Sequence, residues 1–128
     1  MENILEKAAL FGTGGASYII IELLWRGGTH WSMFALGGVC FLAISGISDA
    51  LGSRAPAAAV MLASAVVVTA LELVFGYVLN IRLRLGVWDY SDVPYNIMGQ
   101  ICPKYTALWF VLSYFCIKLS SGIKKAMN

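Results

Sequence analysis

The stretch "PAAAVMLASAVVVTALELVFGYVLN", residues 56–80, decides the fold. It runs for 25 residues with Glu72 as its single charged side chain. A bilayer's hydrocarbon core is crossed by roughly 20 apolar residues in a helix. Residues 56–80 are therefore long enough to span. Pro56 suits the first turn of a helix, where its missing N–H breaks no internal bond.

Three further apolar runs lie around this one. They cover about 8–25, which contains "GTGG" at 12–15, then 31–51, "WSMFALGGVCFLAISGISDAL", and about 104–123. The "GG" at 27–28 and the turn "GSRAP" at 52–56 separate the first three. All four runs are apolar around most of their circumference, as lipid-facing helices should be. In hydrocarbon every peptide group needs an internal partner, and runs this long find one as helices. The ten-residue alternation of a membrane barrel is absent. Residues 1–128 read as one integral membrane domain, all-α, with four transmembrane helices in a multi-pass arrangement in the cell membrane.

Composition agrees. The chain is 59% hydrophobic and 12% charged, against about 25% charged in a soluble domain. Such a surface belongs in a lipid bilayer. A net charge of +2 without a basic patch gives no reason to expect nucleic acid as a partner. Cys40, Cys102 and Cys116 fit no metal or redox spacing. Two of them lie in apolar runs, where a thiol acts as a small hydrophobe, and all three read as structural and reduced. The start "MENILEKAAL" has no basic n-region, so the first span is expected to stay as an anchor. Gly37, Gly38, Gly46, Ala59 and Ala63 are expected at close helix contacts.

An even number of spans puts both termini on one side with the 52–55 turn. That side carries Lys7, Arg54, Lys118, Lys124 and Lys125, against Arg26, Arg82, Arg84 and Lys104 on the other. The balance favours cytoplasmic termini. In either orientation the 27–30 turn and the long connection after span three share a membrane face, and polar residues gather there.

Glu22 and Arg26 are four apart and can pair on one helix face, and His30 follows the glycine break. Their bland reading is a snorkelling pair beside the belt tryptophans Trp25 and Trp31. Glu72, Gly76 and Asn80 recur every four residues. A lone acid two turns inside a span needs a partner or a proton, and Arg26 and His30 are candidates across the bundle. "IIIELLW" and "TALELVF" place Glu22 and Glu72 in similar settings, which hints at two helix-hairpin halves. Asp49 is expected to pair with Arg54 on the opposite face.

The connection "IRLRLGVWDYSDVPYNIMGQICPKY" holds Trp88, Asp89, Tyr90, Asn96 and Gln100. Asp92-Val93-Pro94 is turn chemistry. Pro103 suggests a short helix or half-span near 96–102, of the kind tolerated at membrane depth where it lines a cavity. The aromatics also fit an interfacial belt. Asp89 and Asn96 are the expected rim of a pocket.

Residues 69–113 strongly resemble a bacterial membrane family known as ABC-transporter type IV, or ABC transporter permease. "LEL.FG..LN", "VWDYS..P.N..GQIC" and "LWF.LS" carry the likeness, and residues 18–46 are similar to a small branch of that family. The resemblance implies a polytopic transport component, and by matching position it carries over Glu22, Arg26, His30, Glu72, Asn80, Trp88, Asp89, Tyr90, Ser91, Pro94, Asn96, Gly99, Gln100 and Cys102. Relatives tend to have leucine then proline after the cysteine. Here Pro103 and Lys104 stand there, which displaces the helix break by one residue and adds a cation.

Three functions compete. The first is a permease-like component binding a small solute or ion in a polar pocket. The chain has no G-x-x-x-x-G-K-[ST] motif, so an ATP-driven role needs a separate ATPase subunit, and four spans are few enough that a homo-oligomer is expected. The second is a membrane enzyme acting on a lipid or lipid-linked head group, with Glu72 as general acid or base. No nucleophile, metal-ligand or cofactor pattern supports it, and neither metal nor cofactor is expected. The third is a non-catalytic helper whose aromatic loop grips a partner. The resemblance favours the first.

Overall fold

The computed structural model describes residues 4–127. Among these, four helices are long and apolar enough to cross a membrane, and there is no strand. Helix α1 spans Ile4–Arg26, α2 spans Trp31–Leu51, α3 spans Ala57–Gly76 and α4 spans Pro103–Met127. Residues Tyr77–Arg82 continue α3 as a wider π-helical turn.

Local chemistry sets the boundaries. Gly27, at φ +75°, supplies the left-handed residue that stops α1. His30 caps α2, its Nδ1 accepting the Ser32 N–H at 3.2 Å. Pro56 stands one residue before α3, and its carbonyl accepts the Val60 N–H at 3.3 Å. Pro103 opens α4; the displaced proline sets where the helix begins, since proline is tolerated only in a first turn.

The four helices form a bundle in which α1 packs mainly on α2 and α3 mainly on α4, as two hairpins. Helices α2 and α4 touch across the diagonal, so the backbones of α1 and α3 stay apart and α1 barely touches α4. Helix α2 is the most enclosed. Its residues Met33, Leu36, Cys40 and Ile44 recur at helical spacing and form the core with Val68, Leu79 and Trp88. Elsewhere large side chains face outward, among them Leu24, Val66, Val111 and Phe115, as a lipid solvent permits.

Between α1 and α2 the contact depends on glycine. A Cβ on Gly37 would lie 2.5 Å from the Cβ of Tyr18 and 2.7 Å from the Gly14 carbonyl oxygen, and one on Gly38 would strike the Phe11 ring. Gly14 and Gly15 make the reciprocal approach. Gly46 and Ala59, expected at such contacts, are exposed instead; they lie on helix faces with no neighbouring helix. Between α3 and α4 the contact is polar. The Thr69 and Thr106 hydroxyls share a hydrogen bond at 2.8 Å, one donating to the other, and each lies within hydrogen-bond reach of the carbonyl four residues back. Asp49 is joined to Lys124 of α4 and not to Arg54. Arg54 lies in the turn beyond α2, whereas α4 brings its last turn alongside Asp49.

The expected short helix at 96–102 is not formed. The segment is a tight turn, with the Ile97 N–H bonded to the Ile101 carbonyl at 2.9 Å. Met98 at φ +55° and Gly99 at φ +71° leave helical space, and a hairpin-like loop replaces the helix.

Substituting Gly37 by Val should destabilise the protein by about 1–3 kcal/mol, the usual cost of overpacking a close contact. Gly46→Val should change stability little. Thermal unfolding in detergent of the two variants side by side checks this.

Candidate functional site

The connection between α3 and α4 folds down onto the bundle end instead of lying over it. Asn80, on the widened turn of α3, is the hinge of this arrangement. Its Oδ1 accepts the Val87 N–H at 2.6 Å and the Trp88 N–H at 3.4 Å, and its Nδ2 donates to Gln100 Oε1 at 2.8 Å. Gln100 donates in turn to the Met98 carbonyl at 2.9 Å, and the Trp88 indole N–H donates to the Gln100 carbonyl at 3.0 Å. Trp88 and Gln100 are each 5% exposed. Gly76 makes room for them: a Cβ there would lie 2.5 Å from Gln100 Oε1 and 3.0 Å from the Trp88 ring. The four-residue stripe Glu72–Gly76–Asn80 thus has three uses, and its lower two positions anchor the connection.

Asp89 and Asn96 hold the outer turn. The Asp89 carboxylate accepts the Ser91 N–H at 2.9 Å and the Ser91 hydroxyl. These bonds hold its carboxyl below the usual aspartate range. Asn96 donates to the carbonyls of Ser91 and Val93 and accepts the Gly99 N–H at 2.9 Å. Asn96 is spent on backbone partners and Asp89 on the Ser91 N–H and hydroxyl, and neither is among the residues lining the cavities beside α1. These bonds are turn chemistry. His30 is likewise committed to its cap and lines only a shallow recess with Arg26, Thr29 and Gly86.

A cavity of about 280 Å³ does open between α1, α3 and α4 beneath the connection. Four of the residues singled out from sequence reach it: Glu22, Arg26, Glu72 and Tyr90. Glu22 and Arg26 form the expected ion pair one helical turn apart. Glu72 is 2% exposed, and its partner is neither Arg26 nor His30. The Tyr18 hydroxyl donates to Glu72 Oε2 at 3.3 Å, crossing from α1 to α3. A tyrosine is long enough to bridge two helices at opposite corners of the bundle, and Arg26 is held back by Glu22. The Trp109 side chain approaches the same carboxyl.

Sequence reasoning missed most of the wall. Tyr18, Trp25, Tyr105 and Trp109 join Tyr90 there, five aromatic rings in all. Tyr90 stacks on Tyr105 with centroids 4.7 Å apart, and Tyr18 lies 5.5 Å from Trp109. The available signal was spacing. Tyr18 precedes Glu22 by four residues, and Tyr105 precedes Trp109 by four, so each pair shares a helix face. Burial among these rings pushes the Tyr90 hydroxyl's titration well above its usual value. Among the described residues no group of His, Cys, Asp or Glu is placed to hold a metal ion.

Replacing Asn80 by Leu should leave the Val87 N–H and the Gln100 amide without their partner, at a cost of about 1–3 kcal/mol. Hydrogen exchange should then speed up in residues 86–100 and stay unchanged in α2, as read by mass spectrometry.

Comparison with known proteins points one way. No curated protein and no solved structure matches the chain. The sequence profile of a family described as "Putative ABC-transporter type IV" matches residues 9–127, from the first turns of α1 to the end of α4. With four apolar helices and a match over almost its whole length, the chain is a multi-pass membrane protein that belongs to the ABC-transporter type IV family.

Proposed function

We propose that the protein is a transport component that holds a small solute or ion in the cavity walled by Glu22, Arg26, Glu72 and Tyr90. The observation that carries this reading is Glu72. Placing a carboxyl in mid-span costs about 2.5 kcal/mol or more, and this one faces a cavity beside a tyrosine hydroxyl. Structural hydrogen bonding between helices is already supplied by a neutral pair, Thr69 with Thr106. An acid is not needed for that purpose.

The seating of Trp88 supports the same reading. Trp88 packs in the core and is not displayed for a partner, which weakens the helper alternative. Movement of a solute would draw on a separate ATPase subunit, because the chain carries no phosphate-binding loop. The excess of lysine and arginine on the side of the termini favours cytoplasmic termini in the cell membrane. The cavity would then open toward the other face.

Native mass spectrometry of the purified protein tests the cavity. Wild type should retain a small molecule or lipid, and Glu72→Gln and Tyr18→Phe should each lower its occupancy several-fold with the unfolding temperature kept. Equal occupancy in both variants would sink the proposal. For topology, reporters fused after Met127 should be active as cytoplasmic fusions and silent as exported ones; the opposite pattern reverses the orientation.

A further inference from the structure

The geometry points to an amphiphile with an alkylammonium head group as the occupant of this cavity. The inference rests on the cavity reading above and names the class of molecule. Three observations lead to it.

The first is charge. Two carboxyls face the cavity against one guanidinium, and Arg26 is already paired with Glu22. Glu72 is left as the acid without an ionic partner in the cavity. An anionic ligand would add a negative charge to this setting, whereas a cation answers it.

The second is the wall. The aromatic faces of a cage attract a cation through the ring quadrupole, most strongly where water is excluded. Tyr18, Tyr90, Tyr105 and Trp109 come together here with a buried acid among them. That combination suits an alkylated ammonium, which is too weakly hydrated to resist leaving water.

The third is continuity. A second groove of about 180 Å³ runs from the cavity along the seam where α1 barely touches α4. The two share Tyr18, Ile21, Trp109 and Leu112 as walls. The groove is almost wholly apolar, floored by Gly14 and Gly37, and its rim residues Phe115 and Leu119 are exposed toward the lipid side. The glycines that bring α1 against α2 also leave this furrow open. An apolar tail lies along it when the head group sits beside Glu72.

Calorimetric titration in a neutral maltoside detergent tests the proposal with three probes. Decyltrimethylammonium has head and tail, tetramethylammonium has the head alone, and decyl sulfate has the tail with the opposite charge. The cationic amphiphile should bind saturably and about tenfold or more tighter than either control, since a desolvated cation–π contact and a tail seat are each worth that much. Glu72→Gln should cut its affinity about tenfold, and Tyr105→Leu, on the cavity's outer wall, several-fold. Equal binding of decyl sulfate overturns the cation assignment and leaves the cavity reading standing. Equal binding of tetramethylammonium overturns the amphiphile. Binding by none of the three, with no adduct retained in native mass spectrometry, overturns both readings.

Discussion

A peptide group in hydrocarbon has no water to bond, so every backbone donor must find its partner inside the protein. Along the four helices this is automatic. At the end of α3 it is not, because the chain must leave the helix and return to α4 through residues 83–102. Backbone bonds within the connection, such as Tyr90 N–H to Gly99 and Ile97 N–H to Ile101, meet part of this need, and the side chains of Asn80, Asp89 and Asn96 meet more of it. Asn80 accepts the N–H groups of Val87 and Trp88 while holding Gln100. The widened turn at Tyr77–Arg82 puts it in position, and Gly76 lets the connection come close. The cavity exists because this knot holds Tyr90 over the seam between α1 and α4.

The same constraint explains how the polar residues divide. Those with amide side chains, Asn80, Asn96 and Gln100, both donate and accept, and they are used on the backbone. Asp89 accepts only, and it sits at the exposed turn where Ser91 supplies the donors. The acids at membrane depth, Glu22 and Glu72, cannot serve a helix backbone whose donors are already paired. They take a guanidinium and a tyrosine hydroxyl instead. Polarity alone placed all of these residues at one membrane face. Hydrogen-bonding capacity separates the scaffold from the cavity.

Bundle geometry supplies the remaining distinction. Contacts built on glycine bring α1 onto α2, and contacts built on threonine bring α3 onto α4. The two hairpins meet mainly through α2, which leaves the α1–α4 seam thinly closed. Side chains at that seam are therefore both in the membrane and beside a buried acid. In sequence, Tyr105 and Trp109 are indistinguishable from belt or lipid-facing aromatics, because their partners Tyr90 and Tyr18 come from other elements.

Four apolar runs, their helical state, their shared polar face and the Glu22–Arg26 pair were legible in the residues themselves. Each depends on hydropathy or on spacing within one helix, and local chemistry is enough to set them. The partners of Glu72 and Asp49, the turn at 96–102, the uses of Asp89, Asn96 and His30, and the aromatic wall were decided only by tertiary structure. Each depends on which helix lies beside which, and no periodicity within a single span records that.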